Sequence, residues 1–209
     1  MRKLLSCVLM MTLLLAGCQA VSAGETPEEA ALAVREEYQA LAGWSAVVDV
    51  SVCYSEEVYD FTLDVQWRRD GESVLTVTSP DLLSGITARI AQGETVLEYD
   101  GAGVSLGLLD GAGLTPVSTV TGIMAQIEKG YMAKCAWAGE GDCYLQIAFQ
   151  DPEQEDGAGT RFLLTFDRSS HVLLSAEVSV EGETVLTAEL TDFTVEMTQD
   201  DTGDGTNMG

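Results

Sequence analysis

From Val58 to Arg68 the chain reads Val-Tyr-Asp-Phe-Thr-Leu-Asp-Val-Gln-Trp-Arg. Tyr59, Phe61, Leu63, Val65 and Trp67 alternate with Asp60, Thr62, Asp64, Gln66 and Arg68. Successive side chains of a strand point to opposite faces, so a period of two buries one face only in an extended strand. The same period recurs along the chain. Before it, Val48, Val50, Val52 and Tyr54 alternate with Asp49, Ser51, Cys53 and Ser55, and Glu56-Glu57 marks a turn. After it, Asp70-Gly71 turns the chain into Val74 to Thr78, where Pro80 ends the strand. Shorter strands are expected at Ile86 to Ile90 and Thr95 to Tyr99, followed by an Asp100-Gly101 turn.

Alternation returns in the second half. Leu145, Ile147 and Phe149 share a face, as do Phe162, Leu164 and Phe166. Asp151 to Gly159 reads as an acidic connection between them, and Asp167 to Ser170 as a turn. The next inward set is Val172, Leu174, Ala176, Val178 and Val180, and Glu181-Gly182 turns it into Leu186, Ala188 and Leu190. Phe193 and Val195 fall in the opposite phase, which predicts a bulge near Thr191 or Asp192.

Two segments break the pattern with a helical period. Thr26-Pro27-Glu28-Glu29 is a capping box with proline at the first helical position. Ala31, Val34, Tyr38 and Leu41 then share one face, and Gly43 is the expected stop. Gly101 to Pro116 is glycine-rich and loop-like, and Pro116 to about Lys129 forms a second amphipathic helix through Val120, Ile123, Met124 and Ile127. Strands with one apolar and one polar face make a curved antiparallel sheet whose concave side needs cover, and the two helices supply it. The fold class is therefore α+β rather than βαβ.

The N-terminus carries a different signal. Arg2 and Lys3 precede an apolar run from Leu4 to Leu15, too short to span a bilayer, which takes about 20 residues. Leu15-Ala16-Gly17-Cys18 resembles the lipobox of bacterial lipoproteins. The resemblance implies a signal peptide over 1–17, diacylglycerol on Cys18, and anchoring on the extracytoplasmic face of a membrane. Residues 18–25 read as a tether, 26–198 as one folded domain and 199–209 as a polar, disordered tail.

Acids number 34 against 10 Lys and Arg, for a net charge of −24. Loss of Arg2 and Lys3 with the signal takes this to −26 (−24 − 2), since residues 1–17 contain no acid. A field of that sign repels nucleic acid and anionic headgroups.

Of five cysteines, Cys53, Cys135 and Cys143 remain after Cys7 is cleaved and Cys18 is acylated. Cys135 and Cys143 flank a hairpin tip and are the candidate disulfide; Cys53 is then a free thiol or an intermolecular bridge. No metal site is expected: the spacing is not CxxC and the single histidine is His171.

Gly103-Val104-Ser105-Leu106-Gly107 matches GxSxG, and Asp110 and His171 follow in hydrolase order. That chemistry needs a strand-to-helix elbow in a parallel sheet. Here Leu108-Leu109-Asp110-Gly111 follows and is turn-like, so the stretch reads as a hairpin strand with glycine ends and His171 as a solvated turn residue. The Asp201 to Gly205 echo of a calcium loop runs out of chain before its bidentate acid. No cofactor and no enzymatic activity are expected.

The order of elements resembles the LolA-like lipoprotein-carrier superfamily. The resemblance rests on Tyr38-Gln39-Ala40-Leu41-Ala42-Gly43-Trp44, on Tyr59 to Trp67, on Leu75-Thr76-Val77-Thr78-Ser79-Pro80 and on Val96-Leu97-Glu98-Tyr99-Asp100-Gly101. It implies an open half-barrel plugged by helices. It also implies one of two roles: carrier or sensor for a lipid or lipoprotein acyl chain, or a non-catalytic module regulating an extracytoplasmic protein, as in the GerS-type branch. For the first role the cavity would be lined by Tyr59, Phe61, Leu63, Val65, Trp67, Leu75, Val77, Ile86, Ile90, Leu145, Ile147 and Phe149. The same side chains would otherwise be core beneath the helices.

Overall fold

The computed structural model describes residues 25–54, 57–108, 115–155 and 157–197. The signal, the Cys18 lipidation site, the tether up to residue 24, Glu56, Asp110 and the C-terminal tail lie outside the described residues.

Helix α1 spans Pro27–Gln39 and starts as its sequence dictates. Thr26 Oγ1 accepts the Glu29 N–H at 3.2 Å while Glu29 Oε2 accepts the Thr26 N–H at 2.9 Å, closing the capping box. Ala30, Ala31, Val34 and Tyr38 form its buried face. The helix ends earlier than expected, with Ala40 as its C-cap, and Leu41 already belongs to strand β1, Leu41–Tyr54. The stop does not need Gly43, because the Arg69 guanidinium takes the carbonyls at the helix exit. Its Nη2 donates to Tyr38 O at 2.9 Å and its Nε to Leu41 O at 2.8 Å. Gly43 has another reason to be small: a Cβ there would stand 2.7 Å from the Trp67 carbonyl oxygen.

The chain then runs through β2 (Glu57–Arg68), β3 (Ser73–Ser79), β4 (Thr87–Ala91), β5 (Glu94–Tyr99) and β6 (Ala102–Leu108). Helix α2, Pro116–Lys129, leads to β7 (Met132–Ala138), β8 (Tyr144–Gln150), β9 (Thr160–Asp167), β10 (Leu173–Val180) and β11 (Glu183–Met197). Together they form one sheet in the order β6-β5-β4-β3-β2-β1-β11-β10-β9-β8-β7. Every neighbouring pair is antiparallel. The sheet is open, with β6 and β7 at its edges. It is the curved, helix-covered half-barrel that the alternation predicts.

One row of cross-strand partners shows how the inward phase propagates. Phe61 faces Val50, Val50 faces Ala188, Ala188 faces Ala176, Ala176 faces Leu164, Leu164 faces Ile147 and Ile147 faces Cys135. A single residue's slip in any pair would send a whole strand's apolar set outward.

Three expectations need correction. Glu57 is not in the turn but pairs with Tyr54 at the start of β2. The glycine-rich stretch after Gly101 is not wholly a loop: residues 102–108 form β6, as the hairpin reading of GxSxG anticipated. Its type I′-like turn uses positive φ at both Asp100 (49°) and Gly101 (78°). In β10 the inward set is Leu173, Ala176 and Val178, with Val172 and Leu174 only half-buried. A register shift between Leu173 and Ser175 changes the phase. The bulge predicted near Asp192 is present. Ser45 faces Thr194 and Val47 faces Thr191, and Asp192 has φ 52°.

Candidate functional site

The concave face divides into a filled part, which reaches through the inward residues Leu63, Val65, Leu75 and Ala88 of β2, β3 and β4, and an open part at the β5–β6 end. In the filled part, α1 packs against β7, β8 and α2. Ile123, Met124 and Ile127 of α2 are buried with Leu145, Ile147, Phe149, Leu164, Phe166 and Val178. Tyr38 is the hinge of this packing. Its ring meets Phe166 edge-on at 5.6 Å, and its hydroxyl accepts the Leu173 N–H at 3.0 Å and donates to His171 O at 3.1 Å. Burial pushes the Tyr38 phenol well above its ordinary pKa, so it remains a donor.

The two helices are clamped at their C-terminal ends by arginines. Arg35 of α1 donates from Nε to Ile127 O at 2.8 Å and from Nη2 to Gly130 O at 2.5 Å, taking carbonyls that the end of α2 leaves unpaired. Arg69, already on the exit of α1, holds Glu128 of α2 in an ion pair at 2.9 Å. Gln39 Nε2 donates to Glu128 O at 2.8 Å.

Strands β2 to β6 carry the concave face from its filled part to its open end. Its inward positions follow the same register: Val77 beside Leu63, Ala88 beside Leu75, Leu97 beside Ala88, Val104 beside Leu97 and Ala102 beside Tyr99. Leu63, Val65, Leu75 and Ala88 are buried, but Tyr59 (43% exposed), Tyr99 (53%) and Val104 (61%) are open to solvent. The twelve residues expected to line a cavity are therefore not one set. Leu63, Val65, Leu75, Leu145, Ile147 and Phe149 belong to the packed core, whereas Phe61, Trp67, Val77 and Ile90 are partly buried against it. Tyr59 is exposed and Ile86 half-buried.

A second apolar feature lies at the rim of the filled part. A cleft of about 230 Å³ is lined by Tyr38, Leu41, Val172, Phe193, Val195 and Met197, with Glu37, Ser170 and His171 at its lip. Phe193 stacks on Trp44 at 5.3 Å, a contact that the bulge at Asp192 makes by turning Phe193, Val195 and Met197 toward it. The phase change in the sequence carried this information one residue pair short: it named Phe193 and Val195 but not Met197. Tyr99 and Val104 were missed because the glycines around β6 hid its alternation.

His171 is not simply solvated. Its Nδ1 lies 2.8 Å from Glu37 Oε2, and the turn that carries it is built by Asp167. Asp167 Oδ1 accepts the N–H and hydroxyl of both Ser169 and Ser170. These bonds, the Ser169 hydroxyl foremost, hold the Asp167 carboxyl down at about 2. A depressed folded pKa contributes stability that is complete above the ordinary carboxylate value near pH 4 and is lost as pH falls through about 2. Solvent screening keeps the effect small. Asp167→Asn is expected to flatten the stability profile over that interval, read by denaturant titration at stepped pH.

The remaining chemistry does not assemble. Ser105 lies on β6 and His171 before β10, with six strands between them in the sheet. Cys135 and Cys143, the expected disulfide, stand as free thiols. Ala138 faces Tyr144 and Cys135 faces Ile147, which sets Cys143 four residues further along the ladder than Cys135. That is about 13 Å at ordinary strand rise, beyond the Cα separation of about 7 Å that a disulfide bridges. Cys53 is half-buried opposite Val58. Among the described residues no group of three or more His, Cys, Asp or Glu could hold a metal ion.

No protein-family model matches this sequence, and no curated protein matches it. Solved structures do. A LolA superfamily protein from Nitrosomonas europaea is similar over 79% of this chain and 93% of its own, with TM-score 0.44 and 12% identity. An uncharacterized conserved protein from Thermus thermophilus is similar over 82% of this chain and 89% of its own, with TM-score 0.49 and 11% identity. A chain in the complex of the CwlD amidase with the GerS lipoprotein from Clostridioides difficile is similar over 81% of this chain and 96% of its own, with TM-score 0.44 and 15% identity.

Proposed function

We propose that this chain is a lipid-anchored, extracytoplasmic bacterial binding protein without catalytic activity, whose half-barrel holds a protein partner at the open end of its concave face. The observation that carries this reading is the division of the concave face. The filled part is packed with side chains, including six residues that would have had to line a lipid cavity, Leu63, Val65 and Leu75 of β2 and β3 among them. The open end leaves Tyr99 and Val104 exposed on the inward register of β5 and β6, and Tyr59 is exposed at the start of β2. Exposed apolar side chains on one face of a sheet point to an interaction site. The anchor at Cys18 and the tether keep the domain at the membrane, and a net charge near −26 keeps it off anionic headgroups.

The test is a photo-crosslinking amino acid at position 99, with Asp64 on the convex face as the control position. A discrete protein adduct from position 99 in living cells, absent from position 64, is expected. Lipid adducts alone, or identical patterns from both positions, would overturn the reading.

The rim cleft favours a second reading, binding of an acyl chain. Its volume of about 230 Å³ falls below the roughly 300–1,000 Å³ of ordinary ligand pockets. It would take the end of a chain rather than all of it. Saturable binding of a fluorescent fatty acid, lost when Val195→Trp fills the cleft, would establish this role. Absence of saturable binding would remove it.

A further inference from the structure

The two edges of the sheet are treated differently by the sequence. Along β7, Lys134 is exposed, the Arg168 guanidinium covers Trp137 at 3.9 Å from the ring centroid, and helix α1 packs against the strand. Charge, cover and a packed helix are the usual protections of an edge against unwanted pairing. Among the described residues the β6 edge has none of them. Ala102 to Leu108 contains no charge and no proline, residues 102–106 are all exposed, and Val104 and Leu106 are 61% and 44% exposed. Among the described residues no strand pairs with the outer side of β6. A register shift between Thr95 and Val96 places a bulge at Leu106, so the regular stretch of the edge is residues 102–105.

From this edge, resting on the partner-binding reading above, we infer that β6 accepts an extended segment of another protein as a twelfth strand. The incoming segment is apolar at alternate positions and basic at the others. Both halves of that specificity come from the register. On the concave side, Ala102 and Val104 continue the row of Tyr99 and Leu97, so inward side chains of the added strand extend an apolar surface. On the other face and at the hairpin tip, Glu72, Glu94, Glu98 and Asp100 stand against a single guanidinium, Arg89. Arg89 is shared between Glu72 at 2.8 Å and Glu98 at 2.7 Å, which leaves this end of the sheet negative. Main-chain hydrogen bonds provide affinity in strand addition, and side chains at alternate positions provide selectivity.

The experiment titrates the purified full-length chain with a dye-labelled peptide alternating valine and lysine, and with its valine–glutamate counterpart, by fluorescence anisotropy. Saturable binding of the lysine peptide is expected, with the glutamate peptide weaker by roughly tenfold or more. Val104→Lys and Val104→Glu should both weaken the lysine peptide by about tenfold or more, because a charge of either sign spoils the apolar side of the added strand. Ala133→Glu on β7 should leave it unchanged. Independently of any variant, the lysine peptide should slow amide exchange within residues 102–106 of the unaltered chain.

Binding retained or strengthened by Val104→Glu would reduce the interaction to charge attraction and overturn strand addition, as would exchange protection elsewhere or no peptide binding. Self-association dispersed by both Val104 variants would assign the edge to a second copy and overturn it too. Peptide binding indifferent to Val104 removes this site but leaves the partner-binding reading standing, whereas loss of the position-99 adduct removes that reading whatever the peptide does.

Discussion

Cys18→Ser is expected to move the chain from the membrane pellet to the supernatant almost completely. Acyl chains contribute about 0.8 kcal/mol per buried CH₂, and two of them give stable retention where one does not. Nothing else described in the molecule replaces them. Among the described residues no helix is long and apolar enough to cross a membrane. The excess of 34 acids over 10 basic residues also opposes electrostatic binding to anionic lipid. Fractionation of cells expressing each form, with intact mass of the pelleted chain, reads the effect. A serine variant that still pellets, or a parental chain without added acyl mass, would dispose of the anchor.

Phe166→Ala is expected to bring the domain close to unfolding. Phe166 is fully buried and meets Tyr38 edge-on at 5.6 Å, so its removal opens a void where α1 seats on the sheet. Truncating a buried phenylalanine costs about 3–5 kcal/mol, against a total stability of about 5–15 kcal/mol for domains of this kind. Tyr38→Phe is the milder companion. It keeps the ring but leaves the buried Leu173 N–H without its hydroxyl acceptor, a cost of about 1–3 kcal/mol. Urea unfolding of the three proteins should rank them parent, Tyr38→Phe, Phe166→Ala. A loss below about 1 kcal/mol for Phe166→Ala would mean that α1 is not seated as described.

What could be read from the sequence was whatever depends on period and on local caps. The Thr26 to Glu29 box and the Tyr59 to Trp67 alternation are complete within their own stretches, so they predicted α1 and β2 directly. The bulge at Asp192 was visible because Leu190 and Phe193 are separated by an odd step. Less legible was anything set by a distant residue. The end of α1 depends on Arg69, thirty residues past Gln39 in sequence and in contact with Tyr38 and Leu41 only after folding. The phase change in β10 arises from its register with β9. The division of the concave face could not be read either, because it depends on which inward positions are covered after folding, and period alone treats Leu63 and Tyr59 as equivalent.

The most direct test of the whole account is a native mass spectrum of the chain gently extracted from membranes. A diacylglyceryl-modified chain beginning at Cys18 is expected, with a second protein held noncovalently and no stoichiometric acyl ligand. A chain carrying one bound acyl molecule and no protein would contradict it.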